Sequence, residues 1–300
     1  MKRPRISPFR LAALASIYIV TPAMAVVSMD WTNVGNTANV ADTTGYGSVG
    51  YTYNIGTYDV TNAQYVDFLN AKGSSNSAGI YNGIMGTAGL YGSNITQSGS
   101  SGSYSYSVSS TYANMPVCGV TWFDAARFSN WLGNGQGSGS MEAGAYTLNG
   151  ASSGIITANA GAGVYIPSED EWYKAAYYNG STSTYSLFPN GKDTITTVDA
   201  NYDGVGLVNV SYGTPSHYGT YGQGGNLWQW NDTVSGLSRG LRGGFWSGYG
   251  STYLASSGST LADPSGVYVA VGFRVASIPE PGCMFLTLLA SGILVTRRKR

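Results

Sequence analysis

Thiols and imidazoles are nearly missing from this 300-residue chain, which has two cysteines, Cys118 and Cys283, and one histidine, His217. That count rules out a disulfide framework, a cysteine-rich metal site and any centre held by three histidines. Charge is scarce too, at 10% of residues, and the basic side chains gather at the two ends. Residues 26–278 therefore hold seven basic against fourteen acidic side chains, a net charge of about −7. Such a body has no basic patch to neutralise phosphates, which excludes nucleic acid as a partner. It suits an extracellular, calcium-containing setting. Neither apolar run of the chain reaches the roughly 20 residues of a comfortable bilayer span. What abounds is glycine (43), tyrosine (24) and a 43% hydrophobic fraction. That is enough for one large core or two small ones, built from extended and irregular structure rather than a helical bundle.

Both ends read as targeting segments and stand outside the fold. At the front, basic residues precede the apolar "LAALASIYIV" and then "TPAMA", where Ala23 and Ala25 form a small-x-small cleavage pattern. Residues 1–25 are thus expected to be a signal peptide removed by signal peptidase, since the run is too short for an anchor and lacks a stop-transfer flank. At the back, residues 278–300 hold Pro279, Glu280 and Pro281, a mostly apolar stretch and the basic "RRKR". This order resembles the PEP-CTERM sorting signal of Gram-negative bacteria, with a plain tail anchor as the other reading. The resemblance implies transient insertion in the inner membrane, cutting by an exosortase-type processing enzyme, and delivery to the cell surface or extracellular matrix.

Capping chemistry predicts three helices in the body. Thr61 with Gln64, Thr121 with Asp124, and Ser168 with Glu171 each match the S/T-x-x-acid/amide box that satisfies free amides at a helix start. Val60 is placed to staple onto Tyr65, and Tyr65, Phe68 and Leu69 repeat at helical spacing. Ala125, Phe128 and Leu132 make the second buried face, with Gly133 as its end. Trp172, Ala175 and Ala176 make the third, with Gly180 as terminator. Alternation in "SGSYSYSVSS", "AYTLNG", "GVYIP", "RGLRGGFW" and "VGFRVAS" predicts short strands. No helical period appears in the last hundred residues. Residues 26–277 are expected to form one α+β domain, loop-rich with few short helices.

Five segments in order carry a family resemblance: "YDVTNAQYVDFLNA", "MPVCGVTWFDAARFSNWLG", "YIPSEDEWYKAAYYNG", "GGNLWQWND" and "LRGGFW…VGFRVAS". Together they resemble the formylglycine-generating enzyme (sulfatase-modifying factor) domain over about residues 45–277. The resemblance implies an asymmetric, calcium-stabilised relative of the C-type lectin fold. Enzymatic members oxidise a substrate cysteine to formylglycine with copper and oxygen; others are iron-dependent sulfoxide synthases, or bind ligands without catalysis.

This chain departs from the enzymes where the chemistry is done. The two copper-holding cysteines of the family fall at Gly248 and Tyr253, and neither side chain can supply a soft thiolate. Copper is therefore not expected. Cys118 stands in a Val-rich segment that reads as core. His217 lies among turn residues, facing solvent, and a Ser-His-Asp triad has no motif here.

The resemblance places one calcium site around Asn201 and Tyr202, with Asp203 adjacent, and a second at Gly225, Leu227 and Gln229. At the second, Gln229 replaces a usual Glu and Gly222 a usual Asn or Asp, so oxygen charge is lost and affinity should fall. Trp228 and Trp230 are alternatively core residues under a tight glycine turn. The aromatic cluster Trp246, Tyr249 and Tyr253, with Phe245, is the candidate face for a glycan or peptide, while Phe245 and Trp246 also read as strand core. Three functions stay open: a catalytically silent ligand-binding surface protein, a copper-dependent oxidoreductase, and a structural matrix component.

Overall fold

The computed structural model describes residues 26–161, 163–247 and 250–279. Ala25, Glu280 and Pro281, assigned to processing, lie outside the described residues, and Pro279 is exposed at their edge.

Strands β1 (Trp31–Val34) and β2 (Tyr53–Gly56) pair antiparallel and lead into α1 (Asn62–Lys72). The hairpin of β3 (Thr96–Ser98) and β4 (Ser105–Ser107) and a single turn, α2 (Ser110–Ala113), occupy the first Gly/Ser-rich stretch. Next come α3 (Trp122–Gly133), β5 (Val164–Tyr165), α4 (Glu169–Tyr177) and a hairpin of β6 (Tyr178–Asn179) with β7 (Thr184–Tyr185). After a long irregular segment follow β8 (Trp228–Ser235), β9 (Ser238–Arg242), a 3-10 turn at Thr252–Leu254, β10 (Ser259–Ala262), β11 (Val271–Phe273) and β12 (Ala276–Ser277). One sheet has the order β1-β2-β12-β5 and the other β10-β9-β8-β11, with β11 parallel to β8. Because β12 inserts between β2 and β5, the last strand closes the sheet that the first strands open.

All three capping boxes form, each with the hydroxyl accepting from the third backbone amide and that residue's side chain returning to the cap. Val60, Tyr65, Phe68, Leu69, Ala125 and Phe128 are buried in one core, where Tyr65 and Phe128 stack at 6.1 Å.

Three sequence expectations need correction. "AYTLNG" is not a strand: Asn130 of α3 takes both main-chain groups of Tyr146 with its side-chain amide, so no partner strand is needed there. Helix α4 ends at Tyr177 rather than Gly180, because Tyr178 turns extended (ψ 130°) to enter the β6–β7 hairpin. "RGLRGGFW" is a strand only to Arg242, since Gly243 (φ 100°) and Gly244 (φ 71°) take left-handed conformations that end it.

Four of the seven body cations are arginines with no more than 2% exposure. Arg127 pairs with Glu142 at 2.7 Å, Arg239 with Asp232 at 2.6 Å while lying over the Trp122 ring, and Arg242 with Glu169 at 2.7 Å. Arg274, fully buried, meets Asp59 at 3.4 Å and donates to the carbonyls of Gly56 and Tyr221 and to Gln229 Oε1. A buried guanidinium is tolerable only when its donors are met, and removing one partner strands the other charge. Arg242→Leu leaves the buried Glu169 carboxylate uncompensated and is expected to cost about 3–5 kcal/mol. A urea titration followed by tryptophan fluorescence checks this, and an unchanged midpoint would refute it.

Candidate functional site

The segment after β9 decides what the domain presents. Gly243 and Gly244 carry the chain out of the strand, and the following residues are tied down by main-chain bonds. Gly225 N–H donates to Gly243 O, Trp246 N–H to Asn226 O, and Gly204 N–H to Trp246 O. Gly225 has to be glycine: its φ is 74°, and a β-carbon there would collide with the Asn201 main chain.

Phe245 and Trp246 emerge from this anchored turn, half-buried and outside any strand. Their rings are 6.0 Å apart and nearly perpendicular, so they serve different surroundings. Trp246 packs on Tyr91, centroids 5.1 Å apart, above the buried patch of Cys118, Leu207 and Leu227. Phe245 helps wall an open trough of about 530 Å³ with Trp228, Leu241, Leu261, Tyr268 and Val269. Leu261 and Val269 are 52% and 50% exposed, a large apolar presentation for so small a patch. Among the described residues the trough has no charged side chain in its lining. Tyr253 is half-buried with its ring edge-on to Trp228 at 5.1 Å, so it supports the trough wall from the side. Tyr249 and Gly248 lie outside the described residues.

Sequence reasoning missed Leu261, Tyr268 and Val269 as site residues. The signal for Tyr268 and Val269 was a run of bulky apolar residues, "GVYVAVGF", beside a strand too short to bury them all. It also missed Tyr91, which sits in a loop far from Trp246 in the chain.

Thiol and imidazole chemistry is absent from this surface. Cys118 is fully buried, with Sγ 3.5 Å from the Ser93 hydroxyl, and burial lifts its thiol to about 11 although that hydrogen bond pulls it down. His217 is exposed on a loop, as its turn-rich neighbourhood implies.

A sequence profile of the sulfatase-modifying factor enzyme 1-like domain matches residues 32–278. The chain belongs to this family. No curated protein matches it. Among solved structures, this family member is similar to CarF (20% identity, TM-score 0.55), covering 84% of this chain and 98% of CarF. It is likewise similar to Treponema denticola variable protein 1 (20% identity, TM-score 0.56), covering 86% and 100% of the two chains. For PvdO from Pseudomonas aeruginosa the identity is 17% and the TM-score 0.50, with 83% and 92% covered. At these identities the likeness establishes the shared fold, the loop-rich α+β relative of C-type lectins that the ordered motifs implied.

The two calcium sets implied by the resemblance can be tested against the residues present. At the second, Gln229 Oε1 already accepts from Trp172 Nε1 at 2.7 Å and from Arg274 Nε at 2.6 Å, and Gln229 Nε2 takes the Gly222 carbonyl at 2.6 Å. A guanidinium thus fills the position of positive charge, and Gln229 with Gly225 and Leu227 does not fit a cation. At the first, Asn201 Nδ2 donates to Gly206 O and Asn226 Oδ1, and the Asn201 carbonyl accepts from Asn226 N–H. Tyr202 donates its hydroxyl to Ile195 O, and Asp203 is exposed. Those bonds use Asn201 Nδ2, the Asn201 carbonyl and the Tyr202 hydroxyl. Among the described residues none takes Asn201 Oδ1, the Tyr202 carbonyl or the Asp203 carboxylate, so the first set keeps oxygen donors of the kind calcium takes. Any stabilisation by millimolar calcium is therefore expected to act through the first set: the rise in thermal midpoint should be lost in Asn201→Ala, and a rise that survives this substitution would place the ion elsewhere.

Proposed function

We propose that this family member is an exported, surface- or matrix-associated protein whose domain is catalytically silent and binds a ligand in the trough beside the 245–253 segment. The observation that carries the reading is an exposed apolar trough walled by Phe245 and braced by Tyr253, in the segment of the sequence where the resemblance would put two thiolates and this chain has Gly248 and Tyr253. Copper(I) needs soft ligands, and of this chain's two cysteines one is buried beside Ser93 and the other belongs to the terminal segment. Export rests on the signal-peptide pattern before Val26 and on the Pro279–Glu280–Pro281 segment with its basic end, read as a PEP-CTERM signal handled by an exosortase-type enzyme.

The trough's chemistry narrows the ligand. Its wall is aliphatic and aromatic, which favours apolar side chains over a hydroxyl-covered sugar. Strand β10 ends its sheet and pairs with β9 alone, so an extended peptide can bond along its outer edge while placing side chains on Leu261 and Tyr268. An apolar peptide segment is thus the ligand class that fits.

A peptide library displayed against the purified domain is expected to yield binders rich in Leu, Phe or Trp. Tyr268→Ala and Leu261→Glu should each weaken them by about tenfold or more, a loss of one well-packed anchor. Incubation with copper and a Cys-x-Pro-x-Arg peptide should give no aldehyde. Binders indifferent to both substitutions would sink the trough as the site, and an aldehyde would restore the oxidoreductase reading.

A further inference from the structure

A second cavity, of about 380 Å³, opens elsewhere, between the start of α1 and the loops at 29–30, 58–59 and 209–211. None of its lining residues lines the apolar trough. Its wall is polar, and much of that polarity is unused. Among the described residues, no hydrogen bond engages the Asp30 carboxylate, the Tyr58 hydroxyl or the Asn114 side-chain amide. Asn209 accepts from the Ser211 amide and hydroxyl through Oδ1, which leaves its Nδ2 as a donor. Asp59, 1% exposed, also belongs to the wall; one of its oxygens meets Arg274, and Oδ2 is buried without a partner. Buried acceptors without partners are rare, and each calls for an explanation.

The groups specify the ligand's chemistry by what they exclude. Two carboxylates, Asp30 and Asp59, disfavour an anion. The Arg274 guanidinium behind Asp59 and the positive end of α1, at Thr61 to Gln64, disfavour a cation. A neutral ligand remains, carrying both donors and acceptors to meet a carboxylate, a phenol and two amides. It also needs a flat apolar face, because the half-buried Tyr58 ring, backed by Tyr221 at 5.4 Å, forms one side with Met29 and Ala63. A pyranose meets this description, with hydroxyls around a ring that has C–H faces, and the volume is in the range of a small-ligand site. We propose that this cavity is a carbohydrate subsite taking one neutral pyranose residue, with Asp30 and the Asn114 and Asn209 amides meeting its hydroxyls and Tyr58 stacking on its face.

The test is a titration of the intact purified domain with glucose, galactose, mannose and N-acetylglucosamine, each as free sugar and as methyl glycoside, followed by saturation-transfer NMR and calorimetry. At least one sugar should bind saturably. Asp30→Ala, at an exposed position, should weaken it about tenfold by removing a charged acceptor, and Tyr58→Ala by a similar factor. Ala63→Phe, which fills the cavity from the helix side, should abolish binding while leaving the near-ultraviolet dichroism unchanged. Preference for the methyl glycoside indicates the end of a glycan, and equal binding indicates a free sugar. No saturable binding by any of the eight compounds, or binding that survives all three substitutions in folded protein, overturns the proposal. Tyr268→Ala should leave sugar binding intact, so the trough and this cavity stand or fall separately.

Discussion

The guanidinium of Arg274 is the point on which the domain's geometry depends. It is fully buried, so every N–H it carries must find an acceptor within the protein. It reaches Gly56 at the end of β2, Asp59 just before α1, Tyr221 in the long irregular segment, and Gln229 in β8. Gln229 passes the constraint on to Trp172 of α4 and to Gly222. One charged group therefore fixes the relative placement of both sheets, a helix and the loop beneath the candidate site. The hydrophobic effect, which is non-directional, could not fix it so narrowly.

Arg242, Arg239 and Arg127 repeat the device at the periphery. Arg242 packs against the rings of both Tyr46 and Tyr173, 4.8 Å and 4.9 Å from their centroids, and donates to the carbonyls of Ser256 and Gly258. A chain with little regular secondary structure has many loop carbonyls left over by its ladders, and arginine has five donors to satisfy them. Here the irregular segments are held by side-chain donors as much as by packing, which is how a chain with 10% charge and 43 glycines keeps a defined shape.

The surface that results is divided. Phe245 and Trp246 are neighbours in sequence and roughly perpendicular in space, so the segment borders an apolar trough on one side and the Tyr91 contact on the other. The polar cavity near Asp59 is a third environment, built from loops that the same Arg274 network anchors. A fold whose loops are anchored in this way can expose chemically distinct pockets from loops alone, because loop sequence is free to vary once the anchors are in place.

Local chemistry was legible in the sequence wherever it is self-contained. The three capping boxes at Thr61, Thr121 and Ser168 require only residues three apart, so they could be read directly. The inert setting of Cys118 and the loop position of His217 follow from neighbours, while the thiolate positions at 248 and 253 came only from the family resemblance. Partners distant in the chain could not be read. Whether Gln229 holds a cation or a guanidinium depends on Arg274, forty-five positions away. Whether "AYTLNG" becomes a strand depends on Asn130 reaching Tyr146. The sequence by itself determined the family and the helix starts, since these are fixed by residue type and short spacing. Only the tertiary structure decided which aromatics share a face and which buried charges pair, because those outcomes are set by long-range contacts that local pattern does not encode.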